Sequence, residues 1–491
     1  MDLPAEIYSV ASVRNIDRAA IRDTGISGYT LMCRAGQAAL DVACQRFPDA
    51  RRWQVICGSG NNGGDGYVLA RLAAQQGTAV SVLALSPPGN LSGDAATAYR
   101  DFVALGGAVA EYDGGLDPQA DLIVDGLLGS GLERDVEGRY ADAVNAVNAH
   151  PAPVLALDIP SGLHGDTGRM MGAAVRADVT ITFVGLKSGL FLERGPELAG
   201  QVCFSELEIS AECRASERPI LRRMQKRIIR EALPPRRRTA HKGRFGHVLV
   251  VGGGPGMPGA VRLCAEAALR SGAGLVSVAT HPGHSNFIPA ARPELMCHAV
   301  GTPADLEPLL ERASVIAVGP GLGASDWALA LLERVLEAAL PVVADADALN
   351  LLSSGEIRRE DWILTPHPGE AARLLGQDVA AVQADRRRAL AALADRYGGT
   401  IVLKGSGTLV SSMNGPPWLC SAGNPGMASP GMGDALTGII SGLKAQQLPN
   451  EQAAATGVLV HALAGDTAAT AGERGLIAAD LIAEIRHWVN P

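Results

Sequence analysis

The chain predicts an α/β protein of two doubly wound domains, and three observations carry that reading. An apolar run, a glycine-rich loop and an amphipathic segment follow one another directly at 53–76 and again at 247–270. Further short apolar runs, each closed by turn residues, recur through both halves, as in parallel strands covered on both faces. Glycine reaches 59 residues while aromatics make up only 4%, which suits many tight strand-to-helix turns. At about 150 residues per domain, 491 residues allow two or three domains with large cores.

Composition also limits the partners. A net charge of −8 gives no electrostatic case for nucleic acid or an anionic membrane. Eight scattered cysteines, with no Cys-x-x-Cys and no His at metal spacing, predict reduced thiols and a cytoplasmic protein. The opening MDLPAEIYSV lacks a basic region followed by an apolar run, so no signal peptide is expected. No uninterrupted apolar segment is long enough to span a bilayer. A homo-oligomer acting on small molecules is expected.

In order, 1–47 reads as a helical lead-in with Ile16, Ala20 and Ile21, then Leu31, Ala35, Ala38 and Ala39, facing inward. Strand 53–57, loop GSGNNGGDG, helix 67–76 with Leu69, Leu72 and Ala73 inward, and strand 78–85 make one βαβ unit. Strands follow at 121–125, 154–159 and 179–184. RPILRRMQKRIIREALPPRRR, from Arg218 to Arg238, is strongly basic and closes on Pro234 and Pro235. Without interleaved aromatics it predicts a solvated linker helix rather than a nucleic-acid patch. Domains are therefore expected at 1–217 and 239–491, with 218–238 between them. The second begins with strand 247–251, loop GGGPGMPG and helix 260–270, and adds strands at 315–318, 342–345, 362–365 and 400–403. After Gly431, Gly433 and Asp434, the apolar Leu436, Ile439, Ile440 and Leu443 at i, i+3, i+4 and i+7 predict a buried helix face.

The chemistry gathers at strand ends. Gly58, Gly60 and Gly63 satisfy Gly-x-Gly-x-x-Gly between a strand and a helix, but the second strand ends Ala84-Leu85-Ser86, without the acidic residue that would hold a ribose. Asn61, Asn62, Asp65, Asp125, Asp158 and Ser161 all stand where an open α/β sheet forms its ligand crevice. Carboxylates gathered there need a cation, and the oxygen set Asn62, Asp125 and Ser161 suits a hard one. Caps and Asx-turns account for any one of these residues alone. In the second half, the glycine turn at Gly431–Gly433 opens a helix whose free amides suit a phosphate. Asp434 stands beside that anion site, able to take a proton from an attacking hydroxyl. Taken alone, it reads sooner as a helix N-cap on a glycine-rich turn, since such caps are common.

Four blocks, NNGGDG, GLLGSGLERDVEGRY, LALDIPSGLHGDTG and TITFVGLK, resemble the NAD(P)H-hydrate epimerase family over most of residues 10–210. The resemblance implies a Rossmann-like three-layer αβα domain. It implies that Asn61, Asn62, Gly63, Gly64, Asp65, Gly129, Ser130, Gly131, Leu132, Glu133, Arg134, Asp135, Tyr140 and Asp158 contact the hydrated nicotinamide nucleotide. Asn62, Asp125 and Ser161 would hold a potassium ion, and Asp158 would act as the acid/base. From Ala240 onward, HKGRFGHVLVVGGGPGMPG, VGPGLG, DADALN, TPHPGE, VLKGSGT and NPGMASPGMGDALTG resemble the ADP-dependent NAD(P)H-hydrate dehydratases, which are ribokinase-like. By that resemblance Lys404, Gly405, Ser406, Gly407, Thr408 and Gly433 bind ADP, with Mg2+ bridging its phosphates. Ala260, Gly323, His367 and Asp434 bind the hydrated dinucleotide, Asp434 as base. Taken alone, VLKGSGT reads as readily as a strand with a turn, and His367 as readily as a turn histidine.

Together the resemblances imply repair of hydrated NADH and NADPH. The first domain would interconvert the C6 epimers; the second would phosphorylate the C6 hydroxyl of the S form from ADP and eliminate phosphate. Three alternatives stand beside this: a small-molecule kinase whose product keeps its phosphate, a first domain that only binds, and a dehydrogenase built on two glycine loops.

Overall fold

The apolar runs become parallel strands in both halves of the chain, and the halves part between Arg222 and Arg223. The computed structural model describes residues 3–353, 355 and 357–490.

In the first unit the strands lie in the order Ala108–Glu111, Ala79–Ala84, Arg52–Cys57, Leu122–Gly126, Val154–Leu157, Val179–Phe183, Gln201–Ser205, all parallel. Each reads as a nearly continuous apolar run because both faces are covered. Val55, Val124, Leu155 and Leu157 enter the core on one face, while Ile56, Ile123 and Ala156 enter the core on the other. The lead-in forms helices Val10–Thr24 and Gly28–Arg46, started by the hydroxyls of Ser9 and Ser27. Ile16 and Ala20 are buried as expected, whereas Ile21 is 39% exposed. The glycine-rich loop is mostly helix: the element runs Asn61–Gln75, so NNGGDG is its first turns. Glycine is required there by close approach, since a Cβ on Gly63 would sit 2.1 Å from the Gly58 carbonyl oxygen.

In the second unit the order is Met296–Ala299, Leu275–Thr280, His247–Gly252, Val315–Val318, Val342–Ala344, Trp362–Leu364, Thr400–Leu403, all parallel. Thr408–Val410 and Trp418–Cys420 then extend the sheet antiparallel. Helix Met432–Ala445 buries Leu436, Ile439, Ile440 and Leu443, the stripe read from sequence. It lies directly on helix Pro258–Arg270: a Cβ on Gly438 would meet the Cys264 carbonyl at 2.0 Å.

The basic stretch does not stand apart as a linker helix. Leu221–Arg223 pairs antiparallel with Glu6–Tyr8, and Arg227–Ala232 is a short helix. Leu221 is fully buried, and Met224, Ile229 and Ala232 belong to the second unit's core. Its apolar residues dictate this, and the arginines between them face outward. The eight cysteines are unpaired. Among the described residues no helix is long and apolar enough to cross a membrane.

Candidate active sites

In the first sheet the chain runs outward one way from Arg52–Cys57, then returns to place Leu122–Gly126 on its other side. A crevice forms at the carboxyl ends of strands where order reverses in this way, and a cavity of about 750 Å³ lies there. Asn61, Asn62, Asp65, Gly129, Ser130, Gly131, Leu132, Glu133, Arg134, Tyr140 and Asp158 line it. Gly63 and Gly64 do not: they face inward, against Gly58 and Met32. Asp135 is exposed beyond the lining. Ser86, where a ribose carboxylate was missed, has its hydroxyl 3.1 Å from that of Tyr140.

Asp158 has a left-handed backbone, φ 65°, an uncommon conformation that clusters at functional sites. Its carboxylate accepts from Lys187 Nζ and, at 3.3 Å, from the Ser130 amide. Lys187 is 1% exposed and also donates to Thr182 Oγ1 at 3.0 Å and the Phe183 carbonyl at 2.9 Å. Burial pushes Asp158 upward, but Lys187 outweighs it and holds the carboxyl below its ordinary range. Asp158 is therefore an anion, able to accept a proton but not to deliver one. The proton sits on its neighbour Asp65 instead. Burial, with the charges of Asp158 and Asp17, pushes Asp65 well above the usual value. Burial also raises Asp17 to about 6. Neither Asp17 nor Lys187 is among the site residues expected from sequence. Asp17 was detectable: with Val13, Ile16 and Ala20 it occupies i, i+3, i+4 and i+7, a carboxylate set into an apolar stripe.

Behind the cavity wall, Asp125 is fully buried and accepts from Ser161 Oγ at 2.6 Å, the Ser161 amide at 2.8 Å and the Leu127 amide at 3.2 Å. No Lys or Arg pairs with it among the described residues, and burial raises it to about 6 despite the Ser161 bonds. Asn62 Nδ2 donates to the Leu128 carbonyl at 3.0 Å, while the buried Asn62 Oδ1 has no hydrogen-bond partner among the described residues. One uncompensated carboxylate and an orphaned amide oxygen fit a monovalent cation with oxygen ligands.

In the second unit, Gly431 (φ 88°) is the N-cap of helix Met432–Ala445 and Asp434 lies in its first turn, so Asp434 is not the cap. Burial, reinforced by Asp345 and Asp347 and opposed by Lys404, raises the Asp434 carboxyl to about 7. Asp345 directly follows strand Val342–Ala344 and precedes Ala346 at φ 49°, again a strained non-glycine. Asp345 accepts from Lys404 Nζ at 2.5 Å and from Thr437 Oγ1 at 2.8 Å, one turn beyond Asp434. Lys404 also lies 3.7 Å from Glu370. Burial opposes its charge, but Asp345 and Glu370 outweigh burial and keep it protonated.

The 404–408 loop turns through Gly405 (φ 130°) and Gly407 (φ 68°), and Thr408 Oγ1 donates to the Gly405 carbonyl at 2.8 Å. Buried Arg386 clamps it from beneath, donating to the carbonyls of Leu403 at 3.2 Å, Lys404 at 3.0 Å and Ser406. Arg386 was also missed, though it sits with Ala389, Leu390 and Leu393 on a buried stripe at i, i+3, i+4 and i+7. His367 caps helix Pro368–Leu375: its Nδ1 accepts from the Gly369 amide at 3.0 Å, while Glu370 accepts from the His367 amide at 2.7 Å. The Gly323 amide donates to Asp347 at 2.8 Å, and Ala260 packs beside Gly321 in the same wall.

Two doubly wound units, one with a cavity of carboxylates and one with a poised aspartate at a helix N-terminus, define a two-domain α/β enzyme. Residues 28–189 match the family described as YjeF-related protein N-terminus, and 248–487 that described as NAD(P)H-hydrate dehydratase. The bifunctional NAD(P)H-hydrate repair enzyme Nnr of Coxiella burnetii is 48% identical over 486 residues, covering 99% of each chain. That of Escherichia coli is 42% identical over 492 residues, covering 100% of this chain and 95% of its own. A crystal structure of a ribokinase-like superfamily protein from Enterococcus faecalis is 32% identical, covers 55% of this chain and 95% of its own, and has a TM-score of 0.52. The chain belongs to the bifunctional NAD(P)H-hydrate repair enzyme family.

Proposed function

We propose that the two units divide the repair of hydrated NADH and NADPH: the first interconverts the R and S forms at C6, and the second dehydrates the S form with ADP. Asp434 carries the reading, because a carboxyl raised to about 7 at a helix N-terminus joins a base to an anion site. Asp434 takes the proton of the C6 hydroxyl as that oxygen attacks the β-phosphorus of ADP, and the bond to AMP breaks. Hydroxide is a poor leaving group and phosphate a good one. Loss of phosphate from C6 and of a proton from C5 then restores the dihydronicotinamide. Gly405 and Gly407 let the backbone approach the nucleotide, and the helix amides face the transferring group. Mg2+ would neutralise the nucleotide phosphates.

In the first unit, Asp65 delivers a proton to the departing C6 hydroxyl while the ring nitrogen supplies electrons, and anionic Asp158 receives the proton of the returning water. K+ held by Asn62, Asp125 and Ser161 would fix the loop at Leu127–Leu128. Asp125→Asn is therefore expected to abolish activation of epimerisation by K+; equal activation of wild type and variant removes the cation from this site. Cytoplasmic action as a homo-oligomer is part of the same reading, the former resting on the unpaired thiols.

One molecule of AMP and one of inorganic phosphate should appear per NADH regained. A product alcohol that keeps its phosphate would replace this reading with a small-molecule kinase. Because only ionised Asp434 accepts a proton, the dehydration rate should rise with pH through a limb centred near 7. A flat profile from mildly acidic to mildly basic pH would remove Asp434 as the base.

A further inference from the structure

At the opposite ends of helices Pro258–Arg270 and Met432–Ala445 from Asp434 lies a second cavity, of about 800 Å³. Arg236, Arg237, Arg244, Arg270 and Arg486 line it, together with Phe245. Among the described residues no Asp or Glu does, although the chain as a whole carries a charge of −8. Among the described residues none of the five arginines forms an ion pair.

The setting of Arg236 is built rather than incidental. Its Nη2 donates to the Gly272 carbonyl at 2.6 Å and to Gln446 Oε1 at 2.8 Å, and its guanidinium lies 3.6 Å from the centre of the Phe245 ring. Partial burial depresses its pKa, although the residue as a whole stays exposed, and no carboxylate offsets that desolvation. Capping the end of a helix accounts for Arg236 alone. Arg237, Arg244, Arg270 and Arg486 make no side-chain hydrogen bond among the described residues and face the same concavity. Converging cations repel one another, and a multivalent anion offsets that repulsion. Guanidinium forks match phosphate oxygens in geometry.

We propose that this cleft binds the phosphate chain of a polyphosphate anion, either of a nucleoside di- or triphosphate or of free polyphosphate. Its form favours such a ligand over nucleic acid: it is a cleft of about 800 Å³, and the aromatic face among its described lining residues is already taken by Arg236. The inference does not depend on the repair reading.

Calorimetric titration of the full chain with inorganic tripolyphosphate tests it. Arg237→Gln/Arg486→Gln should lower affinity by about tenfold or more, and Arg244→Gln alone should produce a smaller loss. Arg388→Gln/Arg474→Gln, which removes the same charge from exposed positions outside the cleft, should bind as wild type does. Displacement of tripolyphosphate from the cleft by ADP would make a nucleotide the ligand; its failure to compete would make it free polyphosphate. Equal affinity in wild type and both cleft variants, or an equal loss in the outlying variant, overturns the proposal. So does a DNA duplex that binds through these arginines when tripolyphosphate does not.

Discussion

Asp434→Asn is expected to lower the rate of dehydration by about 10²–10⁴-fold, the usual contribution of a positioned general base. The substitution keeps the shape of the side chain and removes only its ability to accept a proton. Lys404, Asp345 and the 404–408 loop are untouched, so ADP affinity should change by no more than about threefold, under 1 kcal/mol. Regain of dihydronicotinamide absorbance from the purified S form gives the rate, and calorimetry with ADP gives the affinity. Dehydration at the wild-type rate would mean that another group takes the proton. A parallel collapse of ADP binding would mean that Asp434 holds the nucleotide instead.

Lys187→Met should cost the first unit about 3–5 kcal/mol, because it leaves Asp158 as a buried anion without its partner. Exchange of the amides of strand Arg52–Cys57 with deuterium reads this, since those amides open only when the sheet does. Lys187→Met/Asp158→Asn should recover much of the loss, as the stranded charge is then gone. A loss under about 1 kcal/mol would class the pair with solvent-exposed ones. The pH dependence follows from the depressed Asp158 carboxyl: its stabilisation is present above the ordinary value of 3.8 and is lost as pH falls through the lower folded value. In the Lys187→Met variant that acid-side loss should vanish.

Strands and helices were legible because each writes its period into the sequence. Val315–Val318 and Thr400–Leu403 fall at the expected residues, and the Leu436-Ile439-Ile440-Leu443 stripe is buried as read. NNGGDG misled because glycine marks a turn statistically, yet here the glycines permit a helix to start against a strand end. The strained turns were illegible: nothing in the local sequence requires Asp158 or Ala346 to adopt positive φ, which is imposed by the packing around them. Motifs likewise gave the cradle but not its wiring. Lys404 reads from sequence as a phosphate ligand, yet it is bonded to Asp345, a partner 59 residues away that only the sheet brings near. The misplaced charges had a usable signal. Asp17 and Arg386 both interrupt apolar stripes at helical spacing: Asp17 is half-buried in the lining of the first cavity, and Arg386 is buried beneath the 404–408 loop.

The division of labour between the units is tested most directly by adding the protein, ADP and Mg2+ to an equilibrated mixture of both NADH-hydrate epimers. Wild type should return the whole mixture to NADH faster than the epimers interconvert unaided. Asp158→Asn should stop at the share initially present as the S form, and Asp434→Asn should return nothing. Complete recovery by Asp158→Asn at the wild-type rate would contradict the account, because epimerisation would then proceed without the anion at the centre of the first cavity.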